Sequence, residues 1–147
     1  MKLALIQCSA RKKNISCEAR LLYSESTLFK SSLSYTTLNY DQVAILSAKY
    51  YCVKLNEILE PYDICLNDFN KYDIITWSKK TADMLLSKFP EVSECHFYTG
   101  KEYRNYLILL LESRGIKCYS YLEHLPIGAK ISWFQHHITE PKQYKLF

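Results

Sequence analysis

Hydrophobic positions in this chain fall into short, nearly continuous runs, separated by longer stretches in which they recur every three or four residues. Lys2-Leu3-Ala4-Leu5-Ile6-Gln7-Cys8 comes first. It has the pattern of a strand buried on both faces, as in a parallel sheet. Val43-Ala44-Ile45-Leu46 repeats the pattern and ends at Ser47, and Cys95-His96-Phe97-Tyr98 and Ile116-Lys117-Cys118-Tyr119 supply a third and a fourth strand. Helical spacing predicts helices over 17–22 and over 25–38, the latter with Leu28, Phe29, Leu33 and Tyr35 facing inward. A long helix is predicted over 72–89, closed by Pro90, and another over 102–114, capped by Gly115. A closing helix is predicted over 128–137. Residues 48–70 show no clean period, and Pro61 biases Glu60 toward extended backbone. A long irregular segment inside a compact domain is usually functional.

Alternating strands and helices predict an α/β fold. The expectation is a single three-layer domain over residues 1–138, with a mostly parallel sheet of about four strands, helices on both faces, and a C-terminal tail over 139–147. Right-handed crossovers place the ends of the first three strands on one edge of the sheet. That carboxyl-end edge is where open α/β sheets collect ligands.

Three polar loops leave those strand ends. The first offers Ser9, Arg11, Lys12 and Lys13, the second Ser47, Lys49 and Tyr50, and the third Thr99, Gly100, Lys101, Tyr103 and Arg104. Backbone amides at a strand-to-helix turn, with two or three cations beside them, suit a phosphate or carboxylate. A solvated basic loop is the competing meaning of Arg11-Lys12-Lys13. Gly100 permits close approach of a ligand, or simply serves the turn. Glu57, Glu60 and Asp63 supply carboxylates from the irregular segment. A carboxylate there either works on a glycosidic bond or pairs with Lys49 or Arg11 to hold the loops together.

Composition narrows these readings only modestly. Among 147 residues, 48% hydrophobic and 23% charged, the formal net charge of +4 permits an anionic partner without requiring one. Thirteen tyrosines suggest half-buried positions with a polar tip, and base stacking is one use for them. Six cysteines without paired spacing read as reduced thiols of a cytoplasmic protein. His136 and His137 are adjacent and make a poor ligand pair, so no metal is expected. No apolar run approaches the length of a membrane span.

The motifs, taken together, resemble a family of small phage and bacterial proteins. Cys8-Ser9-Ala10-Arg11-Lys12 matches that family's CSxxK motif. Ile45 to Tyr50 and then Leu55 to Asp63 match its ILSAKYGLL and DExIxPYD segments, and Gly100, Tyr103 and Arg104 match a later G-x-x-Y-R. Tyr51-Cys52-Val53 stands where the pattern has Gly-Leu-Leu, and Asn56 where an acid is usual. The same order is similar, more distantly, to the YaaA peroxide-stress family, which is linked to DNA binding. The opening motif is similar to archaeosine-synthase-type and uracil-DNA-glycosylase-like domains, which handle a nucleobase at this edge of a parallel sheet.

These resemblances imply a nucleobase-directed enzyme acting on DNA, an N-glycosidic hydrolase of DNA-glycosylase type. The alternatives are a non-catalytic DNA-binding protein of the YaaA stress type and a phage protein that binds or sequesters a nucleotide. In the enzyme reading Lys49 and Glu57 are catalytic, Ser9, Arg11 and Lys12 grip phosphate, and Tyr50 or Tyr62 stacks the base. Ser47, Asp63, Gly100, Tyr103 and Arg104 complete the substrate-binding set. The expected partner is DNA or a nucleotide, with no membrane and no cofactor.

Overall fold

The computed structural model describes residues 1–139. Its centre is β1 (Lys2–Gln7), in which Leu3, Ala4, Leu5 and Ile6 are wholly buried. An uninterrupted apolar run is needed there because helices cover both faces of the strand. β1 pairs in parallel with β3 (Gln42–Ser47) on one side, Leu3 opposite Gln42 and Gln7 opposite Leu46. On the other side it pairs in parallel with β6 (Glu94–Tyr98), Lys2 opposite Glu94 and Ile6 opposite Tyr98. β7 (Lys117–Ser120) extends the sheet in parallel beyond β6. The fourfold parallel core is the one the hydrophobic runs predict.

The sheet has a fifth strand. β4 (Tyr51–Lys54) turns back on β3 in an antiparallel hairpin, giving the order β4-β3-β1-β6-β7. The segment expected to be irregular over 48–70 therefore starts with a hairpin. It continues into a two-residue strand, β5 (Ile58–Leu59), antiparallel to β2 (Cys17–Glu18), and then a 3-10 turn over Leu66–Asp68. Residues 17–22, predicted as one helix, divide into β2 and the single turn α1 (Ala19–Leu22). The backbone amides of Ala19 and Arg20 are drawn to the carbonyls of Glu57 and Leu55, which begins the helix only after β2 has paired.

Among the described residues four longer helices complete the layers. α2 (Thr27–Asn39) and α5 (Ile127–Thr139) pack together on one face, and α3 (Lys71–Lys88) and α4 (Lys101–Glu112) on the other. α2 buries Phe29 together with Ser31, Ser32 and Thr36, whereas Leu33 and Tyr35 are half-buried. The inward hydroxyls of Ser32 and Thr36 return to the helix, donating to Phe29 O at 2.9 Å and Ser32 O at 2.7 Å. Such back-bonding satisfies polar groups in a core position. On the opposite face the Trp77 indole N–H donates to Ser47 O at 2.9 Å, tying α3 to the end of β3.

All six cysteines are free thiols, with Cys8, Cys52 and Cys95 buried, Cys17 and Cys118 half-buried, and Cys65 exposed. Burial pushes the Cys52 and Cys118 thiols up to about 12, so both stay protonated at neutral pH. Among the described residues no helix is long and apolar enough to cross a membrane. The tail expected over 139–147 lies, after Thr139, outside the described residues.

Candidate functional site

The chain leaves β1 toward β3 and β4, then returns to the other side of β1 as β6. The connections leaving β1, toward β3, and leaving β6, toward β7, therefore diverge, opening a crevice beyond the carboxyl ends of these two strands. A cavity of about 270 Å³ occupies it. Its floor is Gln7, Cys8 and Ser9 from the end of β1 and Tyr98, Thr99 and Gly100 from the end of β6. The start of α2 and the inner side of α5 form its walls.

One wall is aromatic. Tyr98 and Tyr121 stack at 5.0 Å between centroids, and Phe134 meets Tyr98 at 5.7 Å. The two tyrosines are held from behind. The Tyr98 hydroxyl bonds to that of Tyr40, and the Tyr121 hydroxyl lies 2.8 Å from His96 Nδ1. His96 Nε2 in turn meets Glu94 Oε1 at 2.9 Å, and this contact holds the Glu94 carboxyl below its ordinary range. Burial pushes the Tyr40 hydroxyl up to about 12 and that of Tyr98 higher still.

Polar groups from β1, β6, α2, α4 and α5 reach the cavity. Gly100 N–H donates to Gln7 Oε1 at 2.7 Å, joining the ends of β6 and β1. A Cβ at position 100 would lie 3.1 Å from that same oxygen, so a side chain there would crowd the contact. Glu102, in the first turn of α4, brings Oε2 to 3.5 Å from the same point and is the single carboxylate among the cavity's described lining residues. Lys130 of α5 supplies a cation, and Asn67 lies at the rim.

A second hollow of about 370 Å³ adjoins the first, sharing Gln7, Cys8 and Ser9. Arg11, Lys12 and Tyr103 line it. Ser9 Oγ donates to Arg11 O at 2.6 Å and curls the loop back on itself. Neither Arg11 nor Lys12 meets a carboxylate among the described residues, while Arg20, Arg104 and Arg114 each do. Lys12 Nζ sits 4.3 Å over the Tyr62 ring. Beneath that ring the Tyr62 hydroxyl lies 2.7 Å from the Tyr23 hydroxyl and 2.8 Å from Ser47 Oγ. Burial raises the pKa of both phenols, so the network is neutral. The Cys8 thiol meets the Tyr103 hydroxyl at 3.3 Å.

The candidate residues thus separate into three groups. Ser9 and Gly100 line the cavity, and Arg11, Lys12 and Tyr103 line the hollow beside it. Ser47, Tyr50 and Tyr62 lie underneath as support. Ser47 Oγ accepts the Tyr50 amide at 3.0 Å, and the Tyr50 hydroxyl donates to Glu60 O at 3.1 Å. Arg104 is held to Thr99 O at 2.5 Å and to Glu123 at 3.5 Å, bracing the end of β6. Asp63 is exposed and lines neither space.

The pair expected to be catalytic is not assembled. Glu57 accepts from Lys88 Nζ at 2.8 and 2.9 Å and from Lys54 N at 2.6 Å, which fastens the β4–β5 loop to α3. Lys49 is exposed on the hairpin turn, 5.3 Å over the Tyr50 ring, in a separate groove with Tyr51 and Lys80. Gln7, Glu102, Lys130, Tyr98 and Tyr121 are cavity residues absent from the candidate set. Position offered a signal for two of them, since Gln7 precedes the first strand-end motif and Glu102 follows Gly100. Among the described residues no group of three or more His, Cys, Asp or Glu side chains is placed to hold a metal ion.

No curated protein and no solved structure matches this chain. A family model does match, over residues 3–136, which takes in every strand of the sheet and both walls of the cavity. By that match the chain belongs to DUF6884, a family of unknown function.

Proposed function

We propose that this protein binds a nucleotide, with the base in the switch-point cavity and the phosphate on the Arg11–Lys12 loop. The observation that carries the reading is the adjacency of two unlike spaces. One is walled by Tyr98, Tyr121 and Phe134, and the other holds two cations without a carboxylate partner among the described residues. A planar apolar ring with a few polar edge atoms suits the first, and an anion suits the second. The cavity, about 270 Å³, is of a size for one base. The nucleotide is either free or turned out of a DNA strand.

The geometry favours holding over cutting. Glu57, the carboxylate expected to act with Lys49 in the enzyme reading, is engaged by Lys88 outside the cavity lining. A DNA-glycosylase activity is therefore the second arm of the test.

Nucleoside monophosphates at 100 times their dissociation constant add about 2.7 kcal/mol to stability and raise the melting temperature accordingly. At the same concentration the corresponding nucleosides, lacking the phosphate, bind more weakly and stabilise less. Arg11→Glu with Lys12→Glu removes the difference between the two. Equal stabilisation by both classes, or none by either, overturns the proposal. Incubation with normal and modified DNA followed by alkali reads out base removal directly, and strand breaks would establish the hydrolase instead.

A further inference from the structure

Resting on that nucleotide reading, we infer that the nucleotide is one unit of a single-stranded nucleic acid, whose backbone continues from the Arg11–Lys12 hollow into the groove of Lys49 and Lys80. Hollow and groove are neighbours, because the exposed Ile64 lines both. The groove, about 390 Å³, takes an apolar lining from Ile64, Phe69 and Trp77, and its two lysines are exposed. Three spaces therefore adjoin in turn. The aromatic cavity shares Gln7, Cys8 and Ser9 with the hollow, and the hollow shares Ile64 with the groove. A mononucleotide occupies the first two. The third is left for the next unit of a strand.

The cations along this path are held in one way. Lys12 Nζ lies 4.3 Å over the Tyr62 ring, Lys49 Nζ 5.3 Å over Tyr50 and Lys80 Nζ 5.6 Å over Tyr51. Tyr62 and Tyr50 meet edge to face at 5.5 Å, and Tyr51 is next in the chain, so the three pairs are successive neighbours. An ammonium resting on a ring is positioned without its charge being neutralised. None of these lysines, nor Arg11, meets a carboxylate within ion-pair distance among the described residues. Hollow and groove together have four cations in their lining against one carboxylate, Asp73. Cations interleaved with tyrosines suit phosphates interleaved with bases. A duplex is disfavoured, since a base enters the cavity only after leaving its partner.

Isothermal titration of the intact chain compares each deoxynucleoside monophosphate with the trinucleotide of the same base. For whichever base binds best, the trinucleotide is expected to bind about tenfold tighter, beyond what its three registers supply. Lys49→Ala with Lys80→Ala removes that gain and leaves the monophosphate within twofold of the parent. On a mixed single strand of about twelve residues, the same variant lowers the slope of log K against log salt by about 1.4, for two lost phosphate contacts. Asp73→Asn shifts strand affinity the other way, upward. The duplex of that strand and inorganic tripolyphosphate both bind more weakly than the strand. Circular dichroism and melting check that the variants fold. If no monophosphate binds, the nucleotide reading itself falls and takes this inference with it. If monophosphates bind but trinucleotides bind no tighter, the strand inference alone falls. It falls likewise if the lysine variant keeps the parental gain and slope, or if duplex or tripolyphosphate equals the strand.

Discussion

Tyr51 shows how one backbone angle explains a motif. It follows Ser47-Ala48-Lys49-Tyr50 and adopts φ +67°, the left-handed region that favours glycine. Ser47 pairs with Tyr51 across the hairpin, so residues 48–50 make the loop and the left-handed residue opens the returning strand. The glycine of the resembled pattern suits this position through its conformation, and the tyrosine ring that replaces it points into the groove shared with Lys80 rather than into the cavity. Tyr51→Gly is accordingly expected to change stability by less than about 1 kcal/mol, relief of strain offsetting lost ring contacts. Tyr51→Val, β-branched and held left-handed, should cost about 1–2 kcal/mol more than the glycine variant. Urea denaturation of the three proteins measures both differences.

At the scale of elements, the β4–β5 loop is attached to α3 through Glu57. Its carboxylate gathers Lys88 Nζ and the Lys54 amide, while Lys88 also donates to Cys52 O at 2.8 Å. Both side chains keep some solvent contact, 24% and 35% exposed, so the pair is worth less than a dry one. Glu57→Gln should lower stability by about 1 kcal/mol, since the amide oxygen can still accept from Lys54 N. Nucleotide affinity should remain within twofold of the parent, because the loop lies away from the cavity lining. A variant that melts normally but fails to bind nucleotide would return Glu57 to the site and revise its role.

At the scale of the whole molecule, neutral hydroxyls lie buried under the edge that carries the cavity. Burial raises the phenols of Tyr23, Tyr40, Tyr62, Tyr98 and Tyr103, among 13 tyrosines in the chain. In the unfolded chain the same phenols ionise near 10, so above that pH the unfolded state has lost protons that the folded state keeps. Their contribution is fully present below pH 10 and declines as pH rises through the folded values, for Tyr40 between 10 and about 12. Stability should therefore fall steeply above pH 10. Phenolate absorbance should rise in two stages, exposed tyrosines first and the buried set only together with unfolding, followed by loss of near-ultraviolet circular dichroism. A single smooth titration of all tyrosines with the fold intact would contradict the buried network.

The sequence by itself determined the four parallel strands, because a strand covered on both faces must be apolar without alternation. It also located the edge that carries the cavity and its basic loop, since Ser9, Arg11 and Lys12 follow directly from β1. It did not disclose β4, whose four residues Tyr51-Cys52-Val53-Lys54 are too few to show a period and lack the glycine that marks such a turn. Nor did it separate supports from lining residues. Tyr62 and Ser47 are buried hydroxyls beneath the loop, and Glu57 finds Lys88, 31 residues away, rather than Lys49. The cavity itself was a decision of tertiary structure. Gln7 and Gly100 are 93 residues apart and meet because β6 returns to the far side of β1, a choice of strand order that no local pattern records.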